Sequence, residues 1–68
     1  MAMKNSIRVQ RAIKNITQAE LASLVNVSRQ TINTMESGKY IPSTVLSLKI
    51  AAIFGVSVEQ VFELEEGD

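Results

Sequence analysis

Arg29, Gln30, Asn33 and Thr34 occupy one short stretch of this chain, and their side chains suit a flat surface patterned with donors and acceptors. A guanidinium fork matches guanine O6 and N7, and a primary amide matches adenine N6 and N7. A threonine methyl packs against a thymine methyl. That chemistry is recognition, and the rest of the chain offers little else. It contains no His and no Cys, its Ser and Thr residues have no evident general base, and it has no glycine-rich phosphate loop. An enzyme is therefore not expected, nor is a metal or cofactor site.

Successive residues on a helix turn by about 100°. With Ile32 set inward, Gln30, Thr34 and Ser37 point away from the core, Asn33 lies to one side, and Arg29 sits at the exposed N-terminal edge. Polar helix faces are most often plain solvated surface, for which Glu and Lys are the usual choices. Neither occurs from Ser28 through Met35. A face free of carboxylates suits a surface that approaches phosphates, so base contacts are expected from Arg29, Gln30, Thr34 and Asn33.

Positioning such a face takes two helices and a tight turn. Thr17-x-x-Glu20 has the form of a capping box and opens one helix, with Leu21, Ala22 and Val25 inward and Leu24 toward the edge. Asn26 tolerates the left-handed turn that follows. Val27 plugs the turn into the core, and Ser28 caps the next helix, which Ile32 and Met35 anchor and Gly38 ends. Before this unit, a first helix is expected from Asn5 to Lys14 with Ile7 and Val9 inward. After it, Ser43 caps a fourth helix reaching Phe54, with Leu46, Ile50, Ala51 and Phe54 inward, and Gly55 stops it. Ser57-x-x-Gln60 opens a short fifth helix through Val61 and Phe62. An acidic tail is expected at 63–68, and the pattern also admits a C-terminal edge strand over Phe62 to Leu64 that overlaps its start.

The 68 residues make one domain, 1–68, with the two-helix unit at 17–37. Chains shorter than about 70–80 residues rarely bury enough apolar surface to be comfortably stable alone. Without disulfides, self-association is one remedy. The formal net charge is zero, yet its distribution is lopsided. All seven bases (Lys4, Arg8, Arg11, Lys14, Arg29, Lys39, Lys49) lie within residues 1–49 beside only Glu20 and Glu36. The other five acids fall in residues 50–68 with no base among them. Such asymmetry suggests a basic face for a polyanion and an acidic end turned elsewhere. The longest apolar run, Ile50 to Val56, is too short to span a bilayer, and the N-terminus lacks a signal peptide's apolar core. A soluble cytoplasmic protein is expected, with no membrane partner.

Three segments, Thr17-Gln-Ala-Glu-Leu-Ala22, Val27-Ser-Arg-Gln-Thr-Ile32 and Glu36-Ser-Gly-Lys39, followed by Pro42-Ser43 and Gly55-Val-Ser-Val58, make the chain resemble the Cro/phage-repressor (XRE) family of helix-turn-helix regulators. The likeness runs from Ile7 to Phe62. It implies an all-α, five-helix lambda-repressor-like DNA-binding domain acting on double-stranded DNA. By the same resemblance, Gln18 binds a phosphate with the helix N-terminus. Ala22 lets the second and third helices approach closely, and Arg29, Gln30 and Thr34 read bases. Thr31, Asn33, Lys39 and Tyr40 fall where phosphate or flanking contacts are usual. Backbone contacts are thus expected from Thr17, Gln18, Ser28, Thr31, Lys39 and Tyr40. The resemblance also pairs Arg11 with Glu36 in a structural ion pair. Two residues depart from the family pattern. Asn26 stands where Gly is common, and Gln10 stands where a large apolar residue is usual, leaving looser packing or compensation by Ile13.

Ile41, Val45, Leu48, Ile53 and Val58 look poorly placed for the core of one small domain. A contiguous apolar patch of that kind usually has a partner. A two-fold homodimer through the fourth and fifth helices would set two recognition helices about 34 Å apart, one turn of DNA. The expected function is that of a dimeric regulator, a repressor on a palindromic operator. The alternative is an antitoxin or accessory module whose main partner is another protein, with DNA binding used for autoregulation.

Overall fold

Local side-chain chemistry starts and stops nearly every element in the computed structural model, which describes residues 3–64. The chain forms strand β1 (Met3–Asn5), helices α1 (Ile7–Lys14), α2 (Gln18–Val25), α3 (Arg29–Glu36), α4 (Thr44–Phe54) and α5 (Val58–Val61), and strand β2 (Phe62–Leu64). Thr17 Oγ1 accepts the Glu20 N–H at 3.0 Å, and Glu20 Oε1 accepts the Thr17 N–H at 2.8 Å, closing the expected capping box. Ser28 Oγ accepts from Thr31 N–H at 3.1 Å, and Ser43 Oγ accepts from Leu46 N–H at 3.1 Å. At α5, Gln60 Oε1 accepts the Ser57 N–H at 2.8 Å.

The stops share one device. Asn15, Asn26, Gly38 and Gly55 all take positive φ, at 58°, 59°, 79° and 69°. Each is followed by a residue whose N–H reaches back into the last turn: Ile16 to Arg11, Val27 to Ala22, Lys39 to Thr34 and Val56 to Ala51. Ile16, Val27 and Val56 also pack against the core, so three of the four turns are plugged by an apolar side chain. The fourth carries the exposed Lys39 instead, which leaves the loop after α3 facing solvent.

Ile7, Leu21, Ala22, Val25, Ile32, Met35, Leu46, Ile50, Ala51, Phe54, Val61 and Phe62 form a single core. The inward residues expected for α2, α3 and α4 are all among them. Most corrections fall at the N-terminal end; at the other, α5 stops at Val61 and Phe62 opens β2. Asn5 belongs to β1 rather than to α1; its Oδ1 accepts the Ile7 N–H at 3.2 Å, and its Nδ2 donates to the Met35 carbonyl at 2.7 Å. Val9 is exposed, because two residues from Ile7 on a helix is nearly the opposite face. Ile13 shares that outer face and is exposed as well, so it does not compensate for the half-buried Gln10. The expected edge strand is present as β2, and it pairs antiparallel with β1 in the register Met3–Leu64, Lys4–Glu63, Asn5–Phe62. Ser6 extends this clasp, donating its N–H to the Val61 carbonyl at 2.8 Å and its hydroxyl to the Gln60 carbonyl at 2.9 Å. The tail beyond Leu64 lies outside the described residues.

Candidate nucleic-acid interface

The interface is built on the packing of α2 against α3. Ala22, buried on the inner side of α2, has no side chain beyond Cβ to hold the two helices apart. Its carbonyl also accepts the Val27 N–H that closes the turn between them. Ile32 and Met35, both fully buried, hold α3 by one side. The opposite side is left open by geometry, and there Arg29, Gln30 and Asn33 are exposed.

Gln18, Arg29, Gln30 and Asn33 line one open cleft of about 330 Å³. A second, of about 590 Å³, runs along Arg11, Ala12, Asn15, Ile16, Thr17, Gln18, Ala19 and Arg29. Gln18 and Arg29 border both, so the N-terminal ends of α2 and α3 open onto neighbouring grooves. The leading N–H groups of a helix have no intrahelical acceptor, and such an end favours an anion. Thr17 and Gln18 stand at this end of α2.

Not every expected contact residue is equally free. Thr34 is half-buried; its hydroxyl donates to the Gln30 carbonyl at 2.8 Å and lies 3.4 Å from Gln30 Nε2. Its methyl is left as the group for contact. The Ser28 and Thr31 hydroxyls share a hydrogen bond of 2.8 Å at the start of α3. Lys39 and Tyr40 are exposed in the loop that follows α3, at the other end of the helix from Arg29.

Beneath this surface lies the ion pair implied by the resemblance. Arg11 Nε donates to Glu36 Oε2 at 2.6 Å, its second terminal nitrogen donates to Oε1 at 3.1 Å, and its first donates to the Ile16 carbonyl at 3.1 Å. Arg8 approaches Glu36 at 3.7 Å from solvent. The Glu36 side chain is only 1% exposed. Burial pushes its carboxyl up, but hydrogen bonds from Arg11 and Gln18, with the charges of Arg11 and Arg8, outweigh burial and hold it below the usual carboxylate range. The same hydrogen bond raises the Arg11 guanidinium above its ordinary value. The one acid of α3 is thus ionised, paired and withdrawn from the open face.

Sequence reasoning did not foresee that Glu36 also accepts from Gln18 Nε2 at 3.0 Å, or that the same nitrogen reaches Asn33 Oδ1 at 3.3 Å. These contacts join the start of α2 to the middle and end of α3. They depend on how two helices cross, and no spacing along the chain signals them.

The helix-turn-helix family profile matches residues 7–61, which takes in α1 through α5. The chain belongs to the XRE-type helix-turn-helix family. Members of this family are transcriptional regulators rather than enzymes. An HTH-type transcriptional regulator of Methanocaldococcus jannaschii is 48% identical over 66 residues, covering 97% of this chain and all of that protein. Among solved structures, the restriction-modification controller protein of Aeromonas hydrophila superposes with a TM-score of 0.72 at 28% identity, covering 79% of this chain and 78% of that one. The SOS-response transcriptional repressor LexA of Eubacterium rectale superposes at 0.78 with 27% identity, covering 93% of this chain and 67% of that one. For an XRE-type domain, the paired Glu36 and the open face of α3 are two sides of one arrangement: the first fixes the helix that carries the second.

Proposed function

We propose that this XRE-type regulator acts as a cytoplasmic homodimeric repressor, setting α3 of each protomer into the major groove of one half of a palindromic operator. The observation that carries this reading is the single cleft in which Gln18, Arg29, Gln30 and Asn33 meet on an open, carboxylate-free face. Arg29 and Gln30 lie at the N-terminal end of α3, where a recognition helix comes nearest the base edges. Arg29 would fork onto guanine O6 and N7, and Gln30 onto adenine N6 and N7, with Thr34 supplying a methyl to thymine. Gln18 and the α2 N-terminus would hold a phosphate, together with Thr17, Ser28, Thr31, Lys39 and Tyr40 along the backbone.

Support for the dimer comes from Ile41 in the loop before α4 and from Val45 and Leu48 along its start, which stay 45%, 62% and 55% exposed. Ile53 and Val58, expected to lie outside the core, pack half-buried against it. Each lies near core residues, Ile53 one helical turn beyond Ile50 and Val58 beside Val61, so only part of either side chain remains for a partner. Support for repression comes from the LexA neighbour, which is named as a repressor. No helix among the described residues is long and apolar enough to cross a membrane.

Selection of bound sequences from random DNA tests this reading. The wild-type chain should enrich a palindrome. Arg29→Ala and Gln30→Ala should each lose preference at one symmetric base pair per half-site, at about 1–3 kcal/mol per contact. Uniform weakening across all sequences would make those residues phosphate contacts instead. If no DNA is retained at low salt, the proposal fails.

A further inference from the structure

Asn33 stands exposed on the open face of α3, and its carbonyl is engaged by a side chain of α2. Gln18 Nε2 donates to Asn33 Oδ1 at 3.3 Å and to Glu36 Oε1 at 3.0 Å. The orientation of the Gln18 amide follows from Glu36. An ionised carboxylate only accepts, so nitrogen and not oxygen must face it; the reverse would set two acceptors against each other. Glu36 is held in place and ionised by Arg11, which grips both of its oxygens at 2.6 and 3.1 Å. With Nε2 so directed, both Gln18 amide hydrogens have acceptors, and one of them draws the Asn33 carbonyl toward α2. The Asn33 NH2 group is then the edge turned away from that bond.

We propose that Gln18, held by Glu36, fixes the polarity of the Asn33 amide, so that position 33 offers DNA a hydrogen-bond donor and selects an acceptor. This rests on the DNA-reading role of α3 proposed above and refines what Asn33 reads. The paired contact of Asn with adenine needs the carbonyl on N6 and the NH2 on N7 at once. One lone pair of the carbonyl is taken by Gln18 and the group is drawn toward α2, which turns it away from that pairing. Guanine O6 or N7, adenine N7, thymine O4 and a phosphate oxygen all satisfy a lone donor. An adenine or cytosine amino group, which requires an acceptor, does not. Gln18 and Glu36 are positioning residues in this arrangement, and Asn33 makes the contact.

The test is sequence selection with the full chain as wild type, Asn33→Ala and Gln18→Leu, with folding of each variant checked by circular dichroism. Asn33→Ala should either remove a preference of about tenfold at one symmetric base pair, or weaken all sequences alike. The first result assigns the acceptor to a base and the second to a phosphate. For the base arm, the preferred operator is remade with the exocyclic amino group deleted at that pair, purine replacing adenine. Binding should hold. Gln18→Leu should release the amide: beyond any general loss from its phosphate contact, it should flatten the preference at the Asn33 pair while those at the Arg29 and Gln30 pairs persist. For the phosphate arm, Asn33→Ala made in the Gln18→Leu background should cost less than in the wild type.

Three outcomes overturn the proposal while leaving DNA recognition intact. The Asn33-dependent preference requires the amino group; Asn33→Ala changes nothing; or Gln18→Leu leaves the contribution of Asn33 untouched. Failure to retain any DNA would instead sink the DNA-reading role itself.

Discussion

Glu36 is the only acid on α3, and its contacts join three helices. Its carboxylate ties α1 to α3 through Arg11 and meets α2 through Gln18. Breaking a buried ion pair by removing one partner costs about 3–5 kcal/mol, because the remaining charge is left without compensation. Arg11 keeps 16% of its side chain exposed, so Glu36→Gln should fall at the lower end, near 3 kcal/mol. That is a large share of the roughly 5–15 kcal/mol that holds a typical domain. The direction of the Glu36 shift also sets a pH dependence. Its folded pKa lies below the ordinary value of 4.5, so the unfolded chain binds the proton more readily. The pair's contribution is therefore complete above that value and declines as pH falls through it toward the lower folded value. Urea titrations of the wild type should show stability dropping across this acidic window, and the Glu36→Gln variant should show a smaller drop. Parallel pH profiles for the two proteins would contradict the assignment.

At the scale of elements, the α2–turn–α3 unit is fixed by short-range chemistry that can be changed one residue at a time. Thr17→Ala removes the acceptor of the Glu20 N–H and should cost about 1 kcal/mol. For a domain of this size that lowers the melting temperature by about 4–8 °C. Thr17→Ser, which keeps the hydroxyl, should melt close to the wild type; equal melting of all three would deny the cap any role. The same locality explains what was legible in the sequence. Capping residues lie within three positions of the N–H groups they satisfy, and left-handed stops carry Asn or Gly, so α2, α3 and α4 could be placed by inspection. Strand β1 could not. Met3-Lys4-Asn5 has no alternation to announce it, and its partner, Phe62–Leu64, lies at the far end of the described chain. Val9 misled for a related reason: an apolar side chain two positions from Ile7 marks the opposite face of a helix, and α1 buries only one. The open polar face of α3 was legible because an angle of rotation suffices to find it. The link from Gln18 to Asn33 and Glu36 was not, because it arises where two helices cross.

Over the whole molecule, the proposed reading face on α3 and the exposed apolar residues at the start of α4 lie on different elements, so the proposed pairing of two copies would leave α3 open. Ile41, Leu48 and Val58 line a shallow groove of about 470 Å³ with Pro42, Thr44, Ser47 and Glu59, and Val45 stands exposed beside it. Two copies joined through this groove by a two-fold axis would present two α3 helices to successive turns of one DNA face. The second half-site is then bound as an intramolecular event, and linking of that kind raises affinity by about 10²–10⁴-fold without any new DNA contact. Leu48→Glu tests the arrangement at a residue outside every proposed DNA contact. Leu48 is 55% exposed and outside the core, so a charge there should leave the monomer folded while opposing a self-complementary apolar contact. Sedimentation should show the wild-type dimer giving way to a monomer. Affinity for a full palindrome should fall by about 10²–10⁴-fold. Affinity for an isolated half-site, which needs one α3 only, should stay unchanged. A variant that remains dimeric and keeps its operator affinity would move the interface to another face of the molecule. Equal loss on full and half sites would show instead that Leu48 supports the fold of α3 rather than the pairing of two copies.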